Sequence, residues 1–166
     1  MPMRIISDAI HLNDWRDRMN EFKNKVAVIT GAASGIGRGL AVRCAQEGMK
    51  IVLADVETDA LGKAECDIKK MGADVIGVVT DVSKPENLKR LALKTLSTYG
   101  TVDLLFNNAG VGAGATLWES TIKDCQWVID VNLWGVIHGI REFIPIMLKQ
   151  TTPCHVVNTA SISGLR

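Results

Sequence analysis

From Lys25 onward, short continuous apolar runs alternate with stretches of helical periodicity, and few folds accept such a pattern. The runs occupy 26–29, 51–54, 75–79, 102–106 and 156–157. Their apolar residues are consecutive rather than alternating, which suits strands buried on both faces of a parallel sheet. Between them lie three apolar stripes at helical spacing. Ile36, Leu40, Ala41 and Cys44 form the first, closed by Gly48; Leu61, Ala64, Ile68 and Met71 form the second, closed by Gly72. Leu88, Leu91, Ala92, Thr95, Leu96 and Tyr99 form the third, opened by an S-x-x-E capping box at Ser83 and Glu86 and ended by Gly100. Strand, helix, strand in repetition implies right-handed crossovers and a doubly wound α/β fold. With no repeat or low-complexity linker, residues 25–166 read as one domain and residues 1–24 as an N-terminal extension.

The stretch 128–140 is apolar nearly all round, with only Asp130, Asn132 and His138 clearly polar. A helix of that kind needs cover on both sides, from the sheet and from a further helix or another subunit. Pro145 is placed to bend or end it. Asn132, expected to be buried there, needs hydrogen-bond partners. Trp118 and Trp134 read as core aromatics.

A net charge of +1 with interspersed signs offers no basic stripe for nucleic acid. No apolar run approaches the roughly 20 residues of a membrane span, and residues 1–25 lack a secretory core. Cys44, Cys66, Cys125 and Cys154 form no CxxC pair and read as buried free thiols in a reducing, cytoplasmic setting. His11, His138 and His155 show no metal-ligand spacing, so no metal site is expected.

The first apolar run leads directly into Thr30-Gly31-Ala-Ala-Ser34-Gly35-Ile36-Gly37 and then a helix. Backbone N–H groups at such a turn, with the helix N-terminus, can hold a pyrophosphate, and glycine leaves room for its approach. G-x-G-x-x-G fails because its third glycine would fall at Leu40, and the Walker A pattern lacks its lysine. T-G-x-x-x-G-x-G fits. Asp55 then ends the second run, Asp81-Val82 follows the third, Asn107-Asn108-Ala109-Gly110 ends the fourth, and Asn158-Thr-Ala-Ser161-Ile-Ser-Gly164 follows the fifth.

Together these segments resemble the short-chain dehydrogenase/reductase family, over about residues 22–166. The resemblance implies a Rossmann-type sheet of order 3-2-1-4-5, cut after the fifth strand, and hydride exchange between a secondary alcohol or ketone and a nicotinamide cofactor. Gly31, Ser34, Gly35, Ile36 and Gly37 would cradle the pyrophosphate. Asp55 would accept hydrogen bonds from the adenosine ribose and repel a 2′-phosphate, which favours NAD over NADP. Asp81 and Val82 would sit near the adenine, and Asn108, Ala109 and Gly110 near the nicotinamide-side ribose. Ser161, ahead of Ser163, matches the serine that bonds the substrate oxygen, and Asn132 the asparagine that bends the apolar helix and positions a water. Family members are commonly homo-oligomers.

The family's proton donor is a tyrosine of a Y-x-x-x-K motif beyond the serine. The single tyrosine here, Tyr99, has no lysine after it at that spacing. The chain alone is therefore expected to be without turnover and, with strand five at an open sheet edge and the apolar helix short of cover, poorly soluble. A non-catalytic dinucleotide-binding remnant, or the product of an interrupted gene, is one alternative. An S-adenosylmethionine-dependent methyltransferase is another, since Gly35-Ile-Gly37-Arg-Gly39 supplies G-x-G-x-G, but residues 32–34 separate that set from the preceding Gly31.

Overall fold

The computed structural model describes residues 21–114 and 116–161. The residues before Phe22's neighbour Glu21, and with them most of the expected extension, lie outside the described residues, as do Ser163 and Gly164. Five parallel strands form one sheet in the order β3-β2-β1-β4-β5: β1 (Val26–Thr30), β2 (Lys50–Asp55), β3 (Val75–Val79), β4 (Leu104–Asn107) and β5 (His155–Asn158). Helices α1 (Gly35–Gln46), α2 (Thr58–Lys70) and α3 (Pro85–Tyr99) make the first crossovers. A longer one joins β4 to β5 through α4 (Ile122–Ile129), a π-helical turn (Asp130–Trp134) and α5 (Gly135–Met147).

The consecutive apolar residues of β1 to β4 serve two cores. Ala27, Ile29, Ile51 and Leu53 point to one face and pack with Ala41 and Cys44 of α1 and Leu61, Ala64 and Ile68 of α2. Val26, Val28, Val52 and Ala54 point to the other and pack with Leu88 and Leu91 of α3 and Phe143 and Met147 of α5. A two-residue period divided between two covered faces is what a buried parallel strand produces.

α3 ends as expected at Gly100, whose φ of 77° is the left-handed conformation glycine adopts without strain. Its start differs. Pro85, with φ already fixed for a helix, takes the first position behind Lys84, and Ser83 Oγ instead donates to Asp81 Oδ1 at 2.6 Å, so the expected capping box does not form. β4 begins later than the apolar run because the Gln150 side-chain amide occupies both the N–H and the carbonyl of Val102.

Two expected stripe residues face outward, Ile36 at 67% exposure and Met71 at 47%. The four thiols are not uniformly buried: Cys44 is, Cys66 is exposed, and Cys125 and Cys154 are intermediate. The apolar stretch 128–140 is divided by the π turn and, among the described residues, buries only its inner side, with Val131, Gly135 against Val82 and Gly139 against Asn107. Ile129, Leu133 and Trp134 stay 45–54% exposed, and Trp118 is 84% exposed, so neither tryptophan singled out from the sequence is core. α5 runs through Pro145 to Met147, and the Leu148 N–H beyond it still donates to Ile144 O at 2.9 Å. Among the described residues no helix is long and apolar enough to cross a membrane, and no group of three or more metal-ligating side chains converges.

Candidate functional site

At the carboxyl ends of β1, β2, β3 and β4 lies a cavity of about 760 Å³. Strand polarity puts it there, since parallel strands end together and their exit loops converge where the order reverses, here beside β1. All eleven residues expected from the sequence to hold a cofactor line it: Gly31, Ser34, Gly35, Ile36 and Gly37 after β1, Asp55 after β2, Asp81 and Val82 after β3, and Asn108, Ala109 and Gly110 after β4.

The β1 turn is compressed on one side and open on the other. Gly31 has φ of 64°, and a Cβ there would lie 2.8 Å from Ala109 Cα. A Cβ on Gly37 would meet Gly31 O at 2.1 Å, so α1 starts hard against the turn. A Cβ on Gly35 would meet nothing within 4 Å, although Gly35 lines the cavity. Ser34 is the N-cap but makes no side-chain capping bond, and the first turn of α1 has no acidic residue. Its leading amides therefore carry no local anion, and the open space above them suits a phosphate group.

Asp55 is fixed from both sides. Its Oδ2 accepts from Ala33 N–H at 2.9 Å and its Oδ1 from Glu57 N–H at 3.0 Å, which leaves lone pairs on both oxygens for a ligand. Arg38, the basic residue just inside α1, pairs with Asp67 of α2. Asp81 Oδ1 accepts from Ser83 N–H at 3.0 Å and from its hydroxyl, making a tight turn that presents Val82.

The loops after β1 and β4 are joined through one hydroxyl. Thr30 Oγ1 accepts from Asn108 N–H at 2.9 Å and Ala109 N–H at 3.0 Å and donates to Phe106 O at 3.2 Å. Asn108 Nδ2 donates to Thr30 O at 3.0 Å, and Asn107 Nδ2 donates to Asn158 Oδ1 at 2.9 Å, so these amides tie adjacent strand ends. The other oxygen of that pair, Asn107 Oδ1, is buried with no hydrogen-bond partner and faces Gly139, where a Cβ would come within 2.2 Å.

Asn132 and Ser161 do not line the cavity. Asn132 sits in the π turn and is exposed rather than buried, yet both ends of its amide are used: Oδ1 accepts from Val111 N–H at 2.8 Å and Nδ2 donates to Val111 O at 2.9 Å. Ser161 is exposed in the segment after β5. Tyr99 lies at the opposite end of the sheet, where its hydroxyl donates to Asp74 Oδ1 at 2.8 Å; burial, reinforced by Asp74, holds the phenol well above its ordinary range.

The family model described as short chain dehydrogenase matches residues 25–166. The chain belongs to the short-chain dehydrogenase family. A short-chain dehydrogenase/reductase from Burkholderia phymatum, solved in complex with NAD, superposes with a TM-score of 0.86 at 55% identity, covering 88% of this chain and 52% of that one. The CLA biosynthesis dehydrogenase/reductase of Lactiplantibacillus plantarum is 37% identical over 89% of this chain and 51% of its own. The 1-deoxy-11-beta-hydroxypentalenate dehydrogenase of Streptomyces exfoliatus is 39% identical over 86% of this chain and 52% of its own. The chain thus spans about half the length of the relatives it matches.

The cavity of this short-chain dehydrogenase chain has further walls that sequence reasoning missed: Val56, Glu57, Thr80, Val111, Trp127, Val131 and Thr159. Most of these adjoin a motif residue at a strand end, and adjacency alone was the available signal. Trp127 carried none, because α4 reaches the cavity only through the long β4–β5 crossover.

Proposed function

We propose that the chain is the dinucleotide-holding part of an NAD-dependent oxidoreductase that interconverts a secondary alcohol and a ketone. The observation that carries this reading is the Asp55 carboxylate on the wall of the same cavity as the open, uncapped start of α1. One end of that cavity suits a pyrophosphate and the other a pair of ribose hydroxyls. Bound there, the nicotinamide cofactor would supply the hydride acceptor or donor.

The chain's own residues would then divide the work of binding. The amides of Ser34, Gly35, Ile36 and Gly37 would face the pyrophosphate, and Gly31 would let the turn close against Ala109. Asp55 would bond the adenosine ribose and disfavour a 2′-phosphate by charge, with Arg38 already engaged by Asp67. Asp81 and Val82 would flank the adenine, and Asn108 to Gly110 the nicotinamide-side ribose. Asn132 would hold the loop after β4 through Val111, and Ser161 would bond the substrate oxygen. The homo-oligomer would use the uncovered face of Ile129, Leu133 and Trp134. Because Tyr99 is at the wrong end of the sheet, the 166-residue chain is expected to bind without turning over.

Fluorescence titration with NADH and NADPH tests the reading. NADH should bind more tightly than NADPH, and Asp55→Ala should weaken NADH by roughly tenfold or more, since bonds to a charged acceptor are the stronger kind. Equal affinity for the two cofactors would remove the NAD preference. Binding of S-adenosylmethionine with no binding of NADH would remove the whole reading.

A further inference from the structure

We infer that His138, on the long crossover helix, is a positioning residue that holds the loop after β3 in the shape the adenine end of the cavity requires. This rests on the dinucleotide reading of the cavity. The crossover reaches the cavity through one helical stripe, with Trp127 and Val131 forming part of its wall. Further along the same stripe stand Gly135 and His138, and both meet Val82.

Two contacts from this stripe hold that residue. A Cβ on Gly135 would come within 2.8 Å of Val82 Cγ2, so the helix backbone lies directly against the valine side chain. His138 Nδ1 lies 3.1 Å from Val82 O. A carbonyl can only accept, so the imidazole must carry its proton on Nδ1 and donate it there. Trp134, one turn earlier, stacks on the imidazole at a centroid distance of 5.9 Å and an angle of 27°, which restrains the ring.

The carbonyl that His138 takes belongs to a loop that the Thr80 N–H anchors at its start to Asp55 O at 2.8 Å and whose Val82 side chain is buried in the core. Asp81 Oδ1 holds Ser83 from the front, and the Lys84 N–H donates to Asp81 O at 3.1 Å. Those bonds are internal to the loop and do not set its height above the sheet. The bond from His138 ties the loop to another element and fixes how far Val82 stands into the cavity.

The test compares His138→Leu, which removes the donor, with His138→Asn, whose Nδ2 can take the place of the imidazole Nδ1. Amide exchange at residues 82–84 of the full chain without ligand gives the first readout, and titration with NADH and ADP-ribose the second. His138→Leu should speed exchange in the loop and weaken both ligands by the same factor, about three- to tenfold, the worth of one hydrogen bond. His138→Asn should stay within about twofold of the unmodified chain in both. Unchanged exchange in His138→Leu, or equal losses in the two variants, would overturn the positioning role. Faster exchange rescued by asparagine, in a chain that binds neither ligand, would sustain the tether and sink the dinucleotide reading.

Discussion

β3 and β5 both stand at margins of the sheet, yet their surroundings differ sharply. β3 is overlaid by α2: Val75 is buried, Gly77 lies so close to the helix that a Cβ would meet Glu65 Oε2 at 2.7 Å, and only its last residue, Val79 at 45%, is exposed. In β5, only Val156 packs toward a core, while Val157 is 41% exposed and His155 and Asn158 are exposed. Both strands are parallel and fully registered with their neighbours, so ladder bonds do not make the difference. Burial comes from helices laid over the faces. A valine pair such as Val156-Val157 is written for a strand covered twice, and among the described residues β5 is covered once. The exposed Ile129, Leu133 and Trp134 on the neighbouring crossover extend the same uncovered region.

The most forceful way to break this comparison is to truncate one side chain in the doubly covered part of the sheet and one in β5. Ile51→Ala, in a fully buried position of β2, should lower the unfolding free energy by about 2–5 kcal/mol in urea titrations, whereas Val157→Ala should change it by less than about 0.5 kcal/mol. Similar losses would mean that β5 is as well supported as β2. Gly139→Ala probes the seam between the regions, where α5 rides on Asn107; overpacking there should cost about 1–3 kcal/mol, read by the same titration.

Val157→Lys sharpens the contrast without disturbing the covered side. Sedimentation velocity should show less self-association than in the unmodified chain, with the melting temperature nearly unchanged, because a charge on an open strand discourages edge pairing. Undiminished association would place the sticky surface elsewhere. The smallest effect is chemical: iodoacetamide should label Cys66 well before Cys44, since burial, aided by Glu47, pushes the Cys44 thiol up to about 11. The sign follows from that shift. The folded chain keeps the proton more tightly than an ordinary thiol at 9.0, so its contribution to stability is full below that pH and fades as pH rises toward about 11.

The covered region was legible because its residues obey local rules. Runs such as 51–54 stated that both faces would be buried, and the glycines at 31, 35 and 37 stated where a backbone must turn and stay bare. Cavity-lining positions at four strand ends could be read because topology brings such ends together regardless of the loops between. The crossover was harder. Periodicity and composition in 128–140 announce no π turn; only the resemblance pointed to a bend at Asn132, where the structure has the widened winding and an amide gripping Val111. Trp118 looked like core by residue type, but side chains take their environment from neighbours distant in sequence. Ser83 and Glu86 satisfied a capping pattern that Pro85 overrode with its fixed φ.

Thr30 shows what a small side chain imposes on motion. A hydroxyl has one hydrogen to give and two lone pairs to receive with, and here Phe106, Asn108 and Ala109 exhaust all three. Nothing remains for a water to compete for, and the rotor has no second setting. Segments far apart along the chain therefore share a common pivot, and a push on either is delivered to both. Whatever enters the cavity between them meets one stiff jaw instead of two independent flaps.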